Sequence, residues 1–122
     1  MKISILLPYK ENFSPTYAGA VSLFVKDTVK LSEYKKYITI FGNTNLRNIF
    51  KLTYKNIDLK KNIIQSGSKL YVNEFLNFEK KIPSDLIEIH NRPNYFHLIH
   101  KEIKKQKIVL YFHNDPLTMT GS

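Results

Sequence analysis

Two short polar stretches each set a histidine beside residues able to hold or use it. They are His90-Asn91-Arg92-Pro93 and His113-Asn114-Asp115-Pro116. A histidine can accept or donate a proton near neutral pH, or hydrogen-bond a hydroxyl group. Asp115 has the chemistry to orient the His113 imidazole or to accept a hydroxyl hydrogen bond; an aspartate before proline equally suits a turn. His90 reads either as a hydrogen-bonded structural histidine or as part of a site. Arg92 can pair with a phosphate or carboxylate, or close a structural salt bridge. A third feature is Gly19 followed by Ala20. The glycine either permits a tight strand-to-helix turn or lets a phosphate or sugar approach backbone N–H groups at a helix N-terminus.

Other chemistries fit less well. His90, His113 and Asp115 are all potential metal ligands, but their spacing is not diagnostic. His97 and His100, three apart, read as surface residues of a helix. No metal site is therefore expected. The lone Gly19 is not a G-x-G-x-x-G pattern, no acidic residue ends the second strand to hold a ribose, and no P-loop occurs. No dinucleotide cofactor is expected either. Without cysteine, a disulfide framework, a thiolate zinc site and a cysteine nucleophile are all excluded.

Positioning these residues requires a scaffold. Ile3 to Leu7 is a nearly continuous apolar run ending at Pro8, as in a buried parallel strand. A polar loop, Pro8 to Ala18, leads to Gly19. Val21, Phe24, Val25 and Val29 then share one predicted helix face. Ile38, Ile40 and Phe41 form a second strand, closed by Gly42-Asn43. The alternation Phe50, Leu52, Tyr54 predicts a half-exposed strand, with Lys51, Lys55, Lys60 and Lys61 in solvent. Tyr71, Val72, Phe75, Leu76 and Phe78 predict a helix broken at Pro83-Ser84. Leu86 to Ile89 is another strand, ending at His90. Pro93 suits the first turn of a helix carrying Phe96, Ile99 and Ile103 on one face. The last strand is Ile108 to Phe112, ending at His113. Strands alternating with helices predict an α/β fold with a parallel sheet, right-handed crossovers and helices on both faces. In such a sheet ligands bind beyond the C-terminal strand ends. The loop before Gly19, His90-Asn91-Arg92 and His113-Asn114-Asp115 all fall on that rim.

Composition sets broad bounds. With 122 residues and a hydrophobic share of 43%, the chain can build one globular core. Its 19 Lys and Arg against 10 Asp and Glu give a formal charge of +9. The excess is nearly all lysine, with Arg47 and Arg92 the only arginines. Planar phosphate and base recognition favours arginine, so a nucleic-acid partner is not expected; a solvated lysine surface, or an anionic membrane or phosphate-bearing partner, fits better. The apolar run at Ile3–Leu7 is too short for a signal-peptide core or a membrane span. The expected location is cytoplasmic, with peripheral contact at the inner membrane face.

Taken together, the residues resemble a known family. Met1 to Pro8 followed by Ala18-Gly19-Ala20-Val21 looks like the first strand and glycine loop of family 4 GT-B glycosyltransferases. Glu88-Ile89-His90-Asn91-Arg92-Pro93 and Leu110-Tyr111-Phe112-His113-Asn114-Asp115-Pro116 resemble a subgroup acting in polysaccharide or lipopolysaccharide assembly. The resemblance runs through the chain in order. It implies an enzyme of two Rossmann-like halves, of which residues 1–122 would be part of the N-terminal, acceptor-side one. The sugar-nucleotide donor would be bound mainly by a C-terminal domain absent from these residues, so this part alone would be inactive. It further implies sugar transfer with retention of configuration, without a metal or other cofactor, onto a glycan or lipid-linked acceptor. Gly19 and Ala20 would lie near the donor diphosphate. His113 would contact the transferred sugar or acceptor with Asp115 and Asn114 beside it, and His90, Asn91 and Arg92 would shape the acceptor side. Many relatives carry two glycines where this chain has Gly19 and Ala20. A non-catalytic phosphate- or nucleotide-binding α/β module is the alternative reading.

Overall fold

A computed structural model describes residues 1–59 and 66–113. Five parallel strands form one sheet in the order β3-β2-β1-β4-β5. The strands are β1 (Ile3–Leu6), β2 (Ile38–Gly42), β3 (Tyr54–Asn56), β4 (Leu86–His90) and β5 (Lys107–Tyr111). Three helices join them: α1 (Ala20–Leu31), α2 (Gly67–Lys81) and α3 (Pro93–Glu102). This is the Rossmann-like α/β open sheet expected from the alternating pattern.

Strand periodicity divides the core into two layers. Ile3, Ile5, Leu7, Ile38 and Ile40 face α1 through Val21, Val25 and Val29. Leu6, Phe41, Ile87 and Ile89 face the opposite way, onto Tyr71, Val72, Phe75 and Leu76 of α2 and Tyr95, Ile99 and Ile103 from α3 and its C-terminal end. Successive strand residues point to opposite faces, so one apolar run serves both layers. The helix boundaries have local causes. Ser66 caps α2, its side chain accepting a hydrogen bond from the Lys69 N–H at 3.3 Å. The helix stops two residues before Pro83, which has no N–H to continue it. Pro93 begins α3, where its missing N–H costs nothing.

Three expectations are corrected. Phe24 is not on the buried face of α1: it is 41% exposed, and Ser22 is buried instead. The described part of the sheet places no further helix beside α1 over β4 and β5, so the flank carrying Phe24 stays open. Of the alternating Phe50-Leu52-Tyr54, only Tyr54 belongs to a strand. Phe50 and Leu52 lie in the β2–β3 connection and pack on the α1 layer, with Phe50 N–H bonded to the Phe13 carbonyl at 3.2 Å. The strand expected over Ile108–Phe112 ends at Tyr111. Lys60 and Lys61 lie outside the described residues.

The strand order creates one special place. The chain leaves β1 toward β2 on one side, and returns through α2 on the other face to enter β4 on β1's other side. The connections after β1 and β4 therefore diverge, opening a crevice at the C-terminal ends of those strands. Among the described residues, no helix is long and apolar enough to cross a membrane.

Candidate functional site

At that crevice the backbone is held in an unusual conformation on both sides. Lys10, in the loop after β1, has φ 66°, and Asn91, after β4, has φ 59°. They are the only non-glycine residues in the left-handed region among those described. Asparagine tolerates this region well; lysine adopts it rarely. Asn91 also does work with its side chain. Its Oδ1 accepts the His113 N–H at 2.9 Å, while its own N–H bonds the Tyr111 carbonyl at 2.8 Å. The turn after β4 thus fixes the chain leaving β5.

The two histidines predicted at the rim come together. His90 Nδ1 lies 2.9 Å from His113 Nε2, and His90 Nε2 lies 3.4 Å from Glu88 Oε2, near the long end of hydrogen bonding. Glu88 and His90 are two apart on β4, so the pleat puts both on the α1 face. A carboxylate only accepts, so the proton of neutral His90 belongs on Nε2. Nδ1 of His90 then has a lone pair to receive the His113 Nε2–H. His113 is left with an unprotonated Nδ1. The chain Glu88–His90–His113 therefore delivers a lone pair to the end of the relay.

Packing holds both rings. Tyr111 stacks on His90 with centroids 4.9 Å apart and an interplanar angle of 4°. Phe24 meets the His113 ring edge-on at 4.8 Å and 81°. His90 is only 2% exposed; His113 is half-buried and is the member nearest solvent. Burial lowers the His113 pKa below its ordinary 6.5; the neighbouring His90 lowers it further, while Glu11 acts in the opposite direction. The neutral form is therefore the favoured one at pH 7, and neutral imidazole is what a proton acceptor requires.

Gly19 and Ala20 lie at the start of α1. Gly19 is the N-cap residue and Ala20 is exposed. The Glu11 carboxyl sits there, with Oε2 accepting the Ser22 N–H at 2.8 Å. A Cβ on Gly19 would stand 2.2 Å from that same oxygen. The glycine thus makes room for the chain's own acidic side chain at the helix N-terminus, where a negative group is favoured. Arg92 donates from Nη1 to the Asn91 carbonyl at 2.7 Å and lies beside Tyr95. The Tyr95 hydroxyl in turn accepts the Tyr9 N–H at 3.0 Å; burial raises its pKa despite that bond and the nearby Arg92. Tyr95 therefore ties the loop after β1 to the start of α3, with Arg92 beside it. Asn114 and Asp115 lie outside the described residues.

Sequence reasoning missed Glu88, Glu11, Phe24 and Tyr111. A signal existed for Glu88: it is the one acidic residue in an otherwise apolar strand, two before a histidine. Glu11 had none, because loop residues carry no periodicity.

A cleft of about 540 Å³ lies elsewhere. It lies near the N-terminal strand ends, bordered by Glu79, Lys80, Ser84 and Glu102. Lys80 and Glu102 approach at 3.5 Å, and the Glu79 carboxyl is already bonded to Ser4 and Ser84. Compared with protein-family models, curated proteins and solved structures, the chain matches none.

Proposed function

We propose that this chain is the acceptor-side part of a retaining GT-B glycosyltransferase that moves a sugar from a sugar nucleotide to a glycan or lipid-linked acceptor. The observation that carries the reading is the relay Glu88–His90–His113 at the sheet's switch point, ending in an Nδ1 that has no partner among the described residues. In the transfer, the acceptor oxygen bonds to the anomeric carbon and the bond from that carbon to the nucleoside diphosphate breaks. The acceptor's hydroxyl proton goes to His113 Nδ1. His90 and Glu88 keep the receiving nitrogen unprotonated beforehand, and Glu11 favours the charge that forms on the ring afterwards. Asp115 joins His113 in this role, and Asn91 fixes the backbone from which the imidazole projects. The donor is held mainly by a second domain, and contact with an anionic membrane brings a lipid-linked acceptor within reach.

The test is transfer of labelled sugar by the full-length polypeptide to a lipid-linked acceptor. His113→Ala should lower kcat by about 10²-fold or more, the scale of a lost acid–base group, with the folded state intact by circular dichroism. Undiminished turnover would remove His113 from the chemistry. Absence of transfer by the wild-type protein across a donor panel, with saturable nucleotide binding retained, would favour a binding module.

A further inference from the structure

On the other flank of α1 lies a second concavity with a different chemistry. A cleft of about 260 Å³ is lined by Lys26, Lys30, Lys35, Lys51, Phe50 and Leu52. Lys26 lies two residues beyond Phe24, roughly 200° around the helix, so the cleft faces away from the histidine pair. Three separate segments supply its lysines. Lys26 and Lys30 are one turn apart on α1, Lys35 starts the short 3-10 turn Lys35–Tyr37, and Lys51 comes from the β2–β3 connection. Like charges four apart on a helix repel, and the fold adds two more around the same hollow.

Little in the described structure offsets this charge. Lys26 pairs with Asp27 at 2.6 Å and lies 5.4 Å over the Phe50 ring. Among the described residues no carboxylate comes within 4.0 Å of the ammonium groups of Lys30, Lys35 or Lys51. Three lysines with no carboxylate partner among the described residues thus line a hollow together with the apolar Phe50 and Leu52. Phe50 and Leu52 are partly buried and anchored on the α1 core layer, so that wall is fixed.

We propose that this cleft binds a phosphomonoester or diphosphate group. Phosphate is a compact, multiply charged anion, and lysine binds it as a point charge without the fork geometry of arginine. A single carboxylate would leave most of the positive charge unmatched. The hollow is short and local, unlike the extended basic track that follows a nucleic-acid backbone. Phe50 and Leu52 receive the less polar part of whatever carries the phosphate. The inference does not depend on sugar transfer: it concerns another surface and stands or falls by binding alone.

The phosphate group can belong to a soluble molecule or to a lipid headgroup, and two probes separate these sources. Inorganic pyrophosphate is titrated into the 15N-labelled chain at low ionic strength, and flotation is measured with phosphatidylcholine vesicles with and without phosphatidic acid. The variant is Lys30→Gln/Lys35→Gln; Lys80→Gln/Lys101→Gln, which alters distant exposed lysines, is the control. Saturable shifts at the amides of Lys26, Lys30, Lys35 and Lys51, weakened at least about tenfold in the first variant only, support the cleft with a soluble ligand. Flotation that needs phosphatidic acid, is competed by pyrophosphate and is lost in the first variant supports it with a headgroup. No binding by either probe, or binding weakened equally by both variants, would overturn it. Raising the salt should weaken the interaction, because the ammonium groups are near solvent.

Discussion

The molecule has two polar clusters built around a glutamate, one at each end of the sheet, and they end differently. Near the N-terminal strand ends, Glu79 is 1% exposed. Its Oε1 accepts from Ser4 and Ser84 hydroxyls at 2.6 Å each, and its Oε2 accepts the Ser84 N–H at 2.9 Å. Every bond in that knot closes on another member. At the C-terminal ends, Glu88 leads to His90 and His90 to His113, and among the described residues the chain of bonds ends there, on a half-buried ring whose lowered pKa favours the neutral form. A closed polar cluster stabilises; an open one presents an unsatisfied atom to a reactant. The difference separates the two carboxyl groups more directly than burial does.

Substitutions can break or sharpen this contrast. Glu79→Ala should have the largest effect on stability. It strands a buried backbone N–H and leaves the Ser4 and Ser84 hydroxyls only each other as partners, and should cost about 3 kcal/mol in denaturant melts, while leaving the His113 titration where it was. Asn91→Ala comes next: a residue with a Cβ and no compensating side chain in the left-handed region costs roughly 1–2 kcal/mol. Asn91→Gly should recover most of that loss, yet still release the His113 N–H, visible as faster amide exchange. Gly19→Ala should cost about 1 kcal/mol by pushing Glu11 off the α1 N-terminus. The cost should nearly vanish in a Glu11→Ala background; a loss of the same size in both backgrounds would show that backbone freedom, not the carboxyl, is what Gly19 supplies. Glu88→Gln should change stability least, by under about 0.5 kcal/mol. Its signature is instead a mixture of imidazole tautomers at His90 and His113, because an amide can donate as well as accept.

Much of this architecture is visible in the sequence for a simple reason. Ile3–Leu7 is almost wholly apolar because both its faces are covered, and such a run reads directly as a central parallel strand; Leu86–Ile89 is apolar except at Glu88, which faces the open flank beside α1. His90 and His113 were legible as rim residues because each follows a strand. What escaped was set by tertiary context. Phe24 has the right spacing for the core, but periodicity does not reveal that its flank of α1 lies open; there it packs against His113 instead. Phe50 and Leu52 alternate like a strand, yet a loop laid across a packed helix buries alternate residues too. Glu11 reaches the α1 N-terminus from a loop, so its partnership with Gly19 exists only once the chain is folded. The functional reading rests on the two His-Asn motifs. The Gly19 loop lends it less, since Glu11 explains the glycine.

The relay also couples protonation to stability. Folded His113 binds its proton less tightly than the unfolded chain does, so the unfolded state holds more protons just below pH 6.5. Stability from this group is full above 6.5 and is lost as pH falls through 6.5 to the lowered folded value. The most direct test is a 15N and 13C NMR titration of the His113 ring. Expected are a pKa below 6.5, a proton on Nε2 in the neutral form, and a further fall in pKa in Glu11→Gln, which removes a charge that favours protonation. A His113 that titrates at or above 6.5, or whose neutral ring carries its proton on Nδ1, would contradict the relay and the role proposed for it.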